Sequence, residues 1–443
     1  MSIRTSLLFL FAALLIASAA QAGPVLMISI DGLRPADVLD AKKRGLKVPN
    51  LSAFVKTGAY ATGVRGVLPT VTYPNHTTLI TGVSPALHGI ANNTTFDPLG
   101  KNMEGWYWYE SDIKVPTLWD AVHAQHKIVA SIDWPVSVGA TSIDYDIPEY
   151  WRAQTAEDLK LIRALSTPGL IPRLEQDTGM SFAAAFNDNP DSDTARARFA
   201  ERLLDIAFPQ LMTVHLVSLD HYQHVYGPGS PEARAALEQI DGAVGDLVAE
   251  ARKIEPDVTV AIVSDHGFVS VSHDVNLIVA FADAGLITLD GKHKIASWEA
   301  MPWGAGGSAA VVLAHPEDQA VKDKVAALLA NLAADPASGI GRVIDKREIE
   351  ARGAIPTASF WVDFKLGYMY GKNLVGPLIT PSTDKGSHGF FPDHPELRAT
   401  FLVAGPGVKK KGSLGDIDMR DIAPTIAKIM QVPLPSATGK PLF

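Results

Sequence analysis

Short apolar runs rich in β-branched residues alternate with amphipathic helical patterns along most of this chain. Each run is apolar at almost every position, which is typical of a strand buried on both faces of a mainly parallel sheet. The alternation predicts an α/β fold with helices on both faces of a central sheet. The predicted strands are 24–30, 127–133, 212–219, 258–264, 308–314 and 399–405, and the predicted helices lie within 116–125, 193–207, 231–254 and 316–333.

The domain organisation follows from where this pattern begins and where it weakens. One Arg, a long apolar stretch and Ala20-Gln21-Ala22 predict a cleaved signal peptide over residues 1–22. We expect residues 23–443 to form a single domain, with an insertion or cap at about 270–385 where the alternation is less regular. The signal predicts a secreted protein, most simply in a bacterial periplasm, and no later run is long enough for a membrane anchor.

Composition limits the classes of partner. The formal net charge is −9, and loss of Arg4 with the signal peptide makes it more negative. This balance argues against binding of nucleic-acid polymers or anionic membranes. It leaves open a local cationic site made by metal ions, which the charge count does not include. The chain has no Cys, so its core must be stable without disulfide bonds.

Three predicted strands are followed by an Asp, and these three residues are the first sign of a functional site. Asp31, Asp220 and Asp265 each come at the carboxyl end of an apolar run. The carboxyl ends of parallel strands meet at one edge of a sheet, where binding sites commonly form. A single Asp in such a place is usually a turn or helix-cap residue. Three of them at one edge favour a metal site.

Histidines accompany these carboxylates. His224 lies one helical turn after Asp220, and His266 follows Asp265 directly. His388 has glycines close on both sides, which free the backbone to aim its imidazole. Carboxylate and imidazole ligands without thiolates predict two Zn²⁺ ions, with Mn²⁺ or Fe as alternatives. Two such ions can stabilise the attacking and leaving oxygens of a phosphoryl transfer. The candidate ligands are Asp31, Asp220, His224, Asp265, His266 and His388.

The segment 69–82, PTVTYPNHTTLITG, leads into a predicted helix and contains five threonines. Thr72 lies at the turn, and Pro74 fits the first turn of the helix because no backbone N–H is needed there. The free N–H groups of a helix start can bind phosphate. Beside metal ions the Thr72 hydroxyl is a candidate nucleophile. Without them its simplest role would be a helix N-cap.

These motifs together resemble the nucleotide pyrophosphatase/phosphodiesterase family of the alkaline phosphatase superfamily. They occur in the family order, and the resemblance covers most of the chain after the signal peptide. It implies an alkaline-phosphatase-like sandwich with an inserted small subdomain. His215 departs from the family pattern, because an aromatic residue often stands five residues before the Asp that matches Asp220. The motifs are SIDGLRPA, PTVTYPNHTTLITG, HGIANNTTFDP, DHYQHVYGP, VSDHGF and GSHGF.

The resemblance implies a division of the metal ligands between two ions. One zinc ion would be held by Asp220, His224 and His388. The other would be held by Asp31, Asp265, His266 and the oxygen of Thr72, which matches the threonine nucleophile of the family in Thr72-Tyr73-Pro74-Asn75-His76.

Substrate-binding residues are implied in the same way. The family asparagine that binds a phosphate oxygen matches Asn93, with Asn92 as the near alternative, and an amide there would stabilise charge in the transition state. Family members stack a nucleobase between aromatic residues. Tyr73 matches one of them, and Trp151 or its neighbour Tyr150 would be the other.

The implied function is hydrolysis of phosphodiester or phosphoanhydride bonds in nucleotides or other small molecules through a phospho-threonine intermediate. A phosphomonoesterase is an alternative that would need extra cations near the phosphate, for which Arg34, Lys101, Lys114 and Arg152 are available. A glycerophosphodiester headgroup hydrolase is another, and GWYWY (105–109) could contribute an aromatic cage for choline. A non-catalytic binding protein with the same fold is the third. The oligomeric state is left open.

Overall fold

The computed structural model describes residues 23–102, 105–153 and 155–443. The predicted signal peptide, residues 1–22, lies outside this part of the chain. Within the described ranges, we find no helix with both the length and the apolar character that crossing a membrane requires.

The strands are short, and the longest has seven residues. In chain order they are β1 (Val25–Ile30), β2 (Ala59–Tyr60), β3 (Gly63–Arg65), β4 (Val129–Ile132), β5 (Tyr145–Ile147), β6 (Leu211–Leu216), β7 (Thr259–Val263), β8 (Val269–Ser270), β9 (His273–Val275), β10 (Ile287–Leu289), β11 (Ile295–Trp298), β12 (Ala300–Ala305), β13 (Ser308–Leu313), β14 (Ile340–Asp345), β15 (Ala358–Phe364), β16 (Tyr368–Tyr370), β17 (Ile379–Pro381), β18 (Gly386–Ser387), β19 (Phe401–Ala404), β20 (Gly412–Ser413) and β21 (Asp416–Asp418).

Each of the four predicted helical stretches contains a helix. In chain order the α-helices are α1 (Pro35–Leu39), α2 (Ala41–Arg44), α3 (Pro49–Thr57), α4 (Thr72–Thr81), α5 (Pro85–His88), α6 (Leu118–His123), α7 (Glu157–Leu165), α8 (Leu170–Thr178), α9 (Pro190–Ala207), α10 (Ser218–Tyr226), α11 (Pro231–Ile254), α12 (Leu277–Asp283), α13 (Gln319–Ala334), α14 (Lys346–Ala351) and α15 (Ile422–Met430).

The centre of the fold is an eight-stranded sheet in the order β20-β2-β19-β7-β1-β6-β4-β5. Strands β7, β1, β6, β4 and β5 are mutually parallel. Every residue of β1, β4, β6 and β7 is buried, as expected for strands covered on both faces. Their side chains form one apolar core with residues of helices such as α9, α11 and α15. The predicted α/β architecture is therefore confirmed.

Two predicted strands are not in the parallel part of this sheet. Strand β19 pairs antiparallel with β7, and β13 lies in a separate antiparallel sheet with the order β12-β13-β15-β14. In β13, Val311 belongs to one apolar cluster and the neighbouring Ala310 to another. Both faces are buried, so β13 has the same continuous apolar sequence as a parallel strand. Such a run indicates burial and not strand direction.

The separate antiparallel sheet and helices α12, α13 and α14 lie within the region predicted as an insertion. This region has its own apolar cluster, which extends in sequence from Val269 to Leu397. We propose that residues 23–443 form one domain with an insertion at about 270–385.

Candidate active site and metal centre

The carboxyl edge of the parallel strands brings the three predicted aspartates together. Asp31 follows β1 directly, and Asp265 comes two residues after the end of β7. Asp220 differs from the prediction, because β6 ends at Leu216 and Asp220 lies in the first turn of α10. This helix also carries His224, whose Nε2 lies 3.4 Å from Asp220 Oδ2.

Two groups of potential ligand atoms form at this edge, with all atoms of a group within 4.8 Å of one another. One group is Asp31, Asp265 and His266, the protein set implied for one ion. The other is Asp220, His266 and His388. His266 thus takes part in both, whereas the sequence implied His224 as the third member of the second group. His224 lies beside that group, with its ring centroid 5.2 Å from that of His388.

The three imidazoles are oriented by backbone carbonyls. Nδ1 of His224 lies 2.9 Å from Gly386 O, that of His266 lies 3.2 Å from Gly267 O, and that of His388 lies 3.1 Å from Thr70 O. A carbonyl oxygen can only accept, so each Nδ1 must carry the hydrogen. Nε2 of each ring is then the nitrogen on the side of the carboxylates, and it offers a lone pair whenever the ring is neutral. Metal-binding histidines are commonly fixed by this kind of contact.

Several polar atoms at the centre have no hydrogen-bonding partner among the described residues, although they are buried. They are Asp31 Oδ1, Asp220 Oδ1, Asp265 Oδ2 and His266 Nε2, and the last two lie 2.9 Å apart as an ion pair without hydrogen-bond geometry. Buried carboxylates left in this state are costly unless a cation balances them. The donor set of oxygen and nitrogen atoms without sulfur suits a borderline divalent ion such as zinc. The residues present therefore fit a pair of divalent metal ions.

The electrostatics of the cluster agree with this fit. Burial and the neighbouring charges of Asp265 and Asp220 raise the pKa of Asp31 well above its usual range. Burial would lower the pKa of His266, but the Asp265 carboxylate outweighs it and raises that pKa to about 9. The carboxylates thus attract positive charge strongly enough to hold a proton on His266. A divalent ion bound there would replace that proton.

Helix α4 begins with Thr72 at its first position, and Val71 is the N-cap residue. Thr72 is therefore not the cap itself. Its side chain lines a cavity of about 590 Å³ that also contains Asp31, Asp220 and His388. No described residue forms a hydrogen bond with its hydroxyl, whereas the other four threonines of the segment each donate to a backbone carbonyl: Thr70 to Phe390, Thr77 to Tyr73, Thr78 to Pro74 and Thr81 to Thr77.

Asn93 and Asn92 differ in what their side chains face. Asn93 lines the cavity, and its Oδ1 accepts a hydrogen bond of 2.9 Å from the backbone N–H of Tyr73. This contact leaves the Asn93 NH₂ group as a donor toward the cavity. The Asn92 side chain is committed elsewhere, since it donates to Gly304 O and accepts from the N–H of Asn93. The geometry favours Asn93 as the phosphate-binding amide.

The predicted aromatic residues Tyr73 and Trp151 both line the cavity, as does the alternative Tyr150. Trp106 lies between the first two, with ring centroids 5.1 Å from Tyr73 and 4.3 Å from Trp151. The sequence interpretation regarded the GWYWY segment mainly as packing. That interpretation holds for Trp108, which is buried, but Trp106 forms part of the cavity wall.

Three acidic residues of the cavity were not recognised from the sequence. Asp133 follows β4, Glu149 comes two residues after β5, and Asp188 precedes α9. The first two carry the same signal that identified Asp31, an acid just beyond a buried strand. Burial raises the pKa of Asp133 to about 6, although the charge of Arg196 opposes the increase. Arg196 lies 2.7 Å from Asp133 and 2.8 Å from Asp193, so its charge is already paired.

His215 is buried in β6 and contacts the candidate metal ligand Asp31. Its Nε2 lies 3.1 Å from Asp31 Oδ2 and its Nδ1 3.0 Å from the backbone oxygen of Asp133. Burial would lower its pKa, but hydrogen bonding to Asp31 and the nearby carboxylate of Glu149 hold that pKa well above its usual value. The sequence marks His215 as a departure from the family pattern, but it does not predict the contact with Asp31.

Comparison with known proteins gives matches along most of the chain. A family model described as type I phosphodiesterase / nucleotide pyrophosphatase matches residues 25–391. An uncharacterized pyrophosphatase/phosphodiesterase of Schizosaccharomyces pombe is 24% identical over 437 residues, which cover 94% of this chain and 78% of that protein. Human ectonucleotide pyrophosphatase/phosphodiesterase family member 1 is 27% identical over 255 residues, 55% of this chain and 23% of that protein.

Human bis(5'-adenosyl)-triphosphatase ENPP4 is 26% identical over 261 residues, which cover 56% of this chain. The match spans 48% of ENPP4, so the chain covers less than half of either human relative. Among solved structures, murine ectonucleotide pyrophosphatase/phosphodiesterase 5, an inactive variant in complex with AMP, is similar with a TM-score of 0.65 and 19% identity. The alignment covers 94% of this chain and 97% of that one, and it confirms the predicted fold class.

Proposed function

This chain belongs to the type I phosphodiesterase / nucleotide pyrophosphatase family, a family of enzymes that hydrolyse phosphodiesters, and from this premise we propose a metal-dependent reaction with Thr72 as the nucleophile. The observation that carries the proposal is the convergence of buried potential ligand atoms at a cavity with a threonine hydroxyl that forms no hydrogen bond with the described residues. A non-catalytic protein would have no need of such a costly arrangement.

The proposed metal centre takes two zinc ions, with manganese or iron as alternatives. Asp31, Asp265 and His266, with the Thr72 oxygen, would hold one ion, and Asp220, His224 and His388 the other. Bound ions would supply Lewis acidity at the phosphate and at the attacking oxygen. The chain's own contribution is to aim three imidazoles and three carboxylates at one edge of the sheet.

In the proposed reaction, the Thr72 oxygen loses its proton to solvent and forms a bond to phosphorus while the bond to the leaving oxygen breaks. The oxygen of a water molecule then forms a bond to phosphorus while the bond from phosphorus to the Thr72 oxygen breaks, and the Thr72 oxygen takes up a proton from solvent. The start of α4 favours negative charge on the transferred phosphoryl group. The Asn93 amide donates to an oxygen whose charge grows in the transition state.

Replacing Asn93 with Ala is expected to lower kcat by about 100-fold, the scale for loss of one oxyanion donor. KM should change little, because the contact strengthens mainly in the transition state. Asn92→Ala is the matched comparison, and its effect should be clearly smaller because Asn92 supports Asn93 without facing the cavity. Steady-state rates on a chromogenic phosphodiester test both variants. Wild-type kcat in Asn93→Ala, or a larger loss in Asn92→Ala, would contradict the assignment.

Nucleotides are the first candidate substrates. One relative is named for cleavage of bis(5'-adenosyl) triphosphate, and the similar murine protein is in complex with AMP. In this chain Trp106 and Trp151 are partly exposed in the cavity next to Thr72, and the buried ring of Tyr73 packs behind Trp106. Stacking on such side chains contributes about 1–3 kcal/mol per base. We propose that a nucleoside group binds there and that a nucleoside 5′-monophosphate is released.

A monoester substrate is disfavoured by the charges around the cavity. Its second negative charge calls for additional cations near the phosphate. The cavity is lined by none of the four cationic residues named from the sequence, which are Arg34, Lys101, Lys114 and Arg152. Arg196 is the sole Lys or Arg side chain that does so within the described part of the chain, and it is paired with Asp133 and Asp193.

A phosphodiester with a cationic headgroup is the second candidate, because the cavity wall is both acidic and aromatic. Asp133, Glu149 and Asp188 outnumber the paired Arg196 there. Carboxylates and aromatic faces attract alkylammonium groups, as in the recognition of choline. Glycerophosphocholine is a convenient probe of this class.

The deciding experiment is a substrate panel with purified zinc-replete protein: a dinucleotide, ATP, glycerophosphocholine and a phenyl phosphate compared with its methyl diester. We expect diester cleavage to exceed monoester cleavage, with release of nucleoside 5′-monophosphate from the nucleotides. A faster reaction with the monoester would contradict the proposed function.

Export to a periplasm remains a prediction from residues 1–22.

A further inference from the structure

Glu149 joins two aromatic side chains of the cavity through a single carboxylate oxygen. Its Oε1 accepts a hydrogen bond of 3.1 Å from the Tyr73 hydroxyl and another of 3.1 Å from Trp151 Nε1. The carboxylate is largely buried, with 12% of the side chain exposed. Burial also raises the pKa of Tyr73 well above its usual value, so this phenol stays protonated and donates.

The two rings are linked a second time through Trp106. The Trp106 ring meets Tyr73 at an interplanar angle of 66° and Trp151 at 68°, both in edge-to-face contact. The three rings and Glu149 therefore form one unit, which we call the aromatic wall (Tyr73, Trp106, Glu149 and Trp151). Removing the carboxylate would leave the Tyr73 hydroxyl, whose side chain is fully buried, without its acceptor.

The second oxygen of Glu149 lies beside His215. Oε2 is buried, accepts no hydrogen bond from the described residues, and lies 3.6 Å from His215 Nδ1. His215 in turn contacts Asp31 through Nε2. The aromatic wall is thus connected to a candidate metal ligand by one intervening side chain.

We propose that Glu149 is a positioning residue that holds the aromatic wall in one geometry and thereby gives the enzyme its preference for phosphodiesters with a large planar organic group. The inference rests on the proposed function, because it assigns the wall to the organic group of the same substrate. Glu149 does not act at phosphorus. Its loss should therefore weaken the reaction of a large substrate much more than that of a small one.

The test compares two substrates with the same leaving group, p-nitrophenyl thymidine 5′-phosphate and methyl p-nitrophenyl phosphate. For Glu149→Ala, the ratio of kcat/KM between the large and small substrates should fall about 10- to 100-fold, as expected for loss of base stacking. The fall should appear mainly as a higher KM for the large substrate. The loss on the small substrate should be much smaller, because that substrate does not reach the aromatic wall.

Glu149→Gln provides the conservative comparison. Its amide oxygen can accept both hydrogen bonds, so the ratio should return most of the way to the wild-type value. Trp151→Phe removes one donor while keeping a ring, and its ratio should fall by a smaller factor. Trp298→Phe, the same change in a tryptophan that does not line the cavity, should leave the ratio unchanged.

Three results would overturn the inference: equal losses on both substrates in Glu149→Ala, a Gln variant as impaired as Ala, or an unchanged ratio in Trp151→Phe. The last variant decides the matter if Glu149→Ala does not fold. Failure of the proposed function is distinct, because the wild-type protein would then cleave neither diester.

Discussion

Replacing Thr72 with Ala is expected to lower kcat for phosphodiester hydrolysis by about 10⁴-fold or more, the scale observed when a hydrolase loses its nucleophile. The physical reason is the state of its hydroxyl. Among the five threonines of the segment, Thr72 alone lacks a hydrogen-bonding partner within the described part of the chain, and it lies in the cavity with four candidate metal ligands.

The measurement combines steady-state rates with detection of phosphate bound to the protein after acid quenching. Thr81→Ala is the matched control, because Thr81 lies at the far end of the same helix and its hydroxyl bonds to Thr77 O. That variant should lose about 1 kcal/mol of stability, the usual value of one hydrogen bond, and little activity. Thr72→Ser keeps a hydroxyl and should retain measurable turnover. A Thr72→Ala protein as fast as wild type would refute the nucleophile assignment.

Replacing His266 with Ala is expected to have the second largest effect. His266 belongs to both groups of potential ligands, so one substitution weakens both metal sites. We expect metal affinity to fall by more than about 100-fold, beyond the roughly 10- to 100-fold range for residues that only support a ligand. Activity should fall with it, and chelation of the wild-type protein should abolish hydrolysis until zinc is restored.

Zinc content at buffered free zinc, measured together with the rate, tests this expectation. His215→Asn is the graded comparison, because His215 contacts Asp31 without belonging to either group. Its metal affinity should fall by no more than about 10- to 100-fold, the range for residues that only support a ligand. His394→Asn is the distant control, since His394 pairs with Asp363 away from the cavity. A His266→Ala protein that keeps its zinc and its activity would contradict the shared role, and chelator resistance would contradict metal dependence altogether.

The sequence predicted the parts of this site that depend on chain order alone. Asp31 and Asp265 were identified because an acidic residue that directly follows a buried parallel strand lies at the carboxyl edge of the sheet. The same reasoning applies to Asp133 and Glu149, but neither stands beside a histidine or within one of the family motifs, so they were not recognised. Their importance follows from which strands are neighbours: β4 lies next to β6 and β5 next to β4, which brings both acids to the cavity.

Other features depended on contacts that a sequence pattern does not contain. An apolar run indicates burial, so β13 and β19 were predicted as strands but their antiparallel pairing was not. Trp106 and Trp108 alternate in one short segment, and only the packing around them shows that Trp106 reaches the cavity. The sharing of His266 between two groups likewise depends on distances between residues far apart in the chain.

The candidate ligands begin with Asp31, directly after β1, and end with His388, between β18 and β19. Bound ions would therefore act as reversible cross-links between distant parts of a chain that has no cysteine. Closing such long loops and binding only the folded state both raise the free energy of unfolding. In the proposed enzyme, the supply of metal would then set the lifetime of the protein as well as its rate.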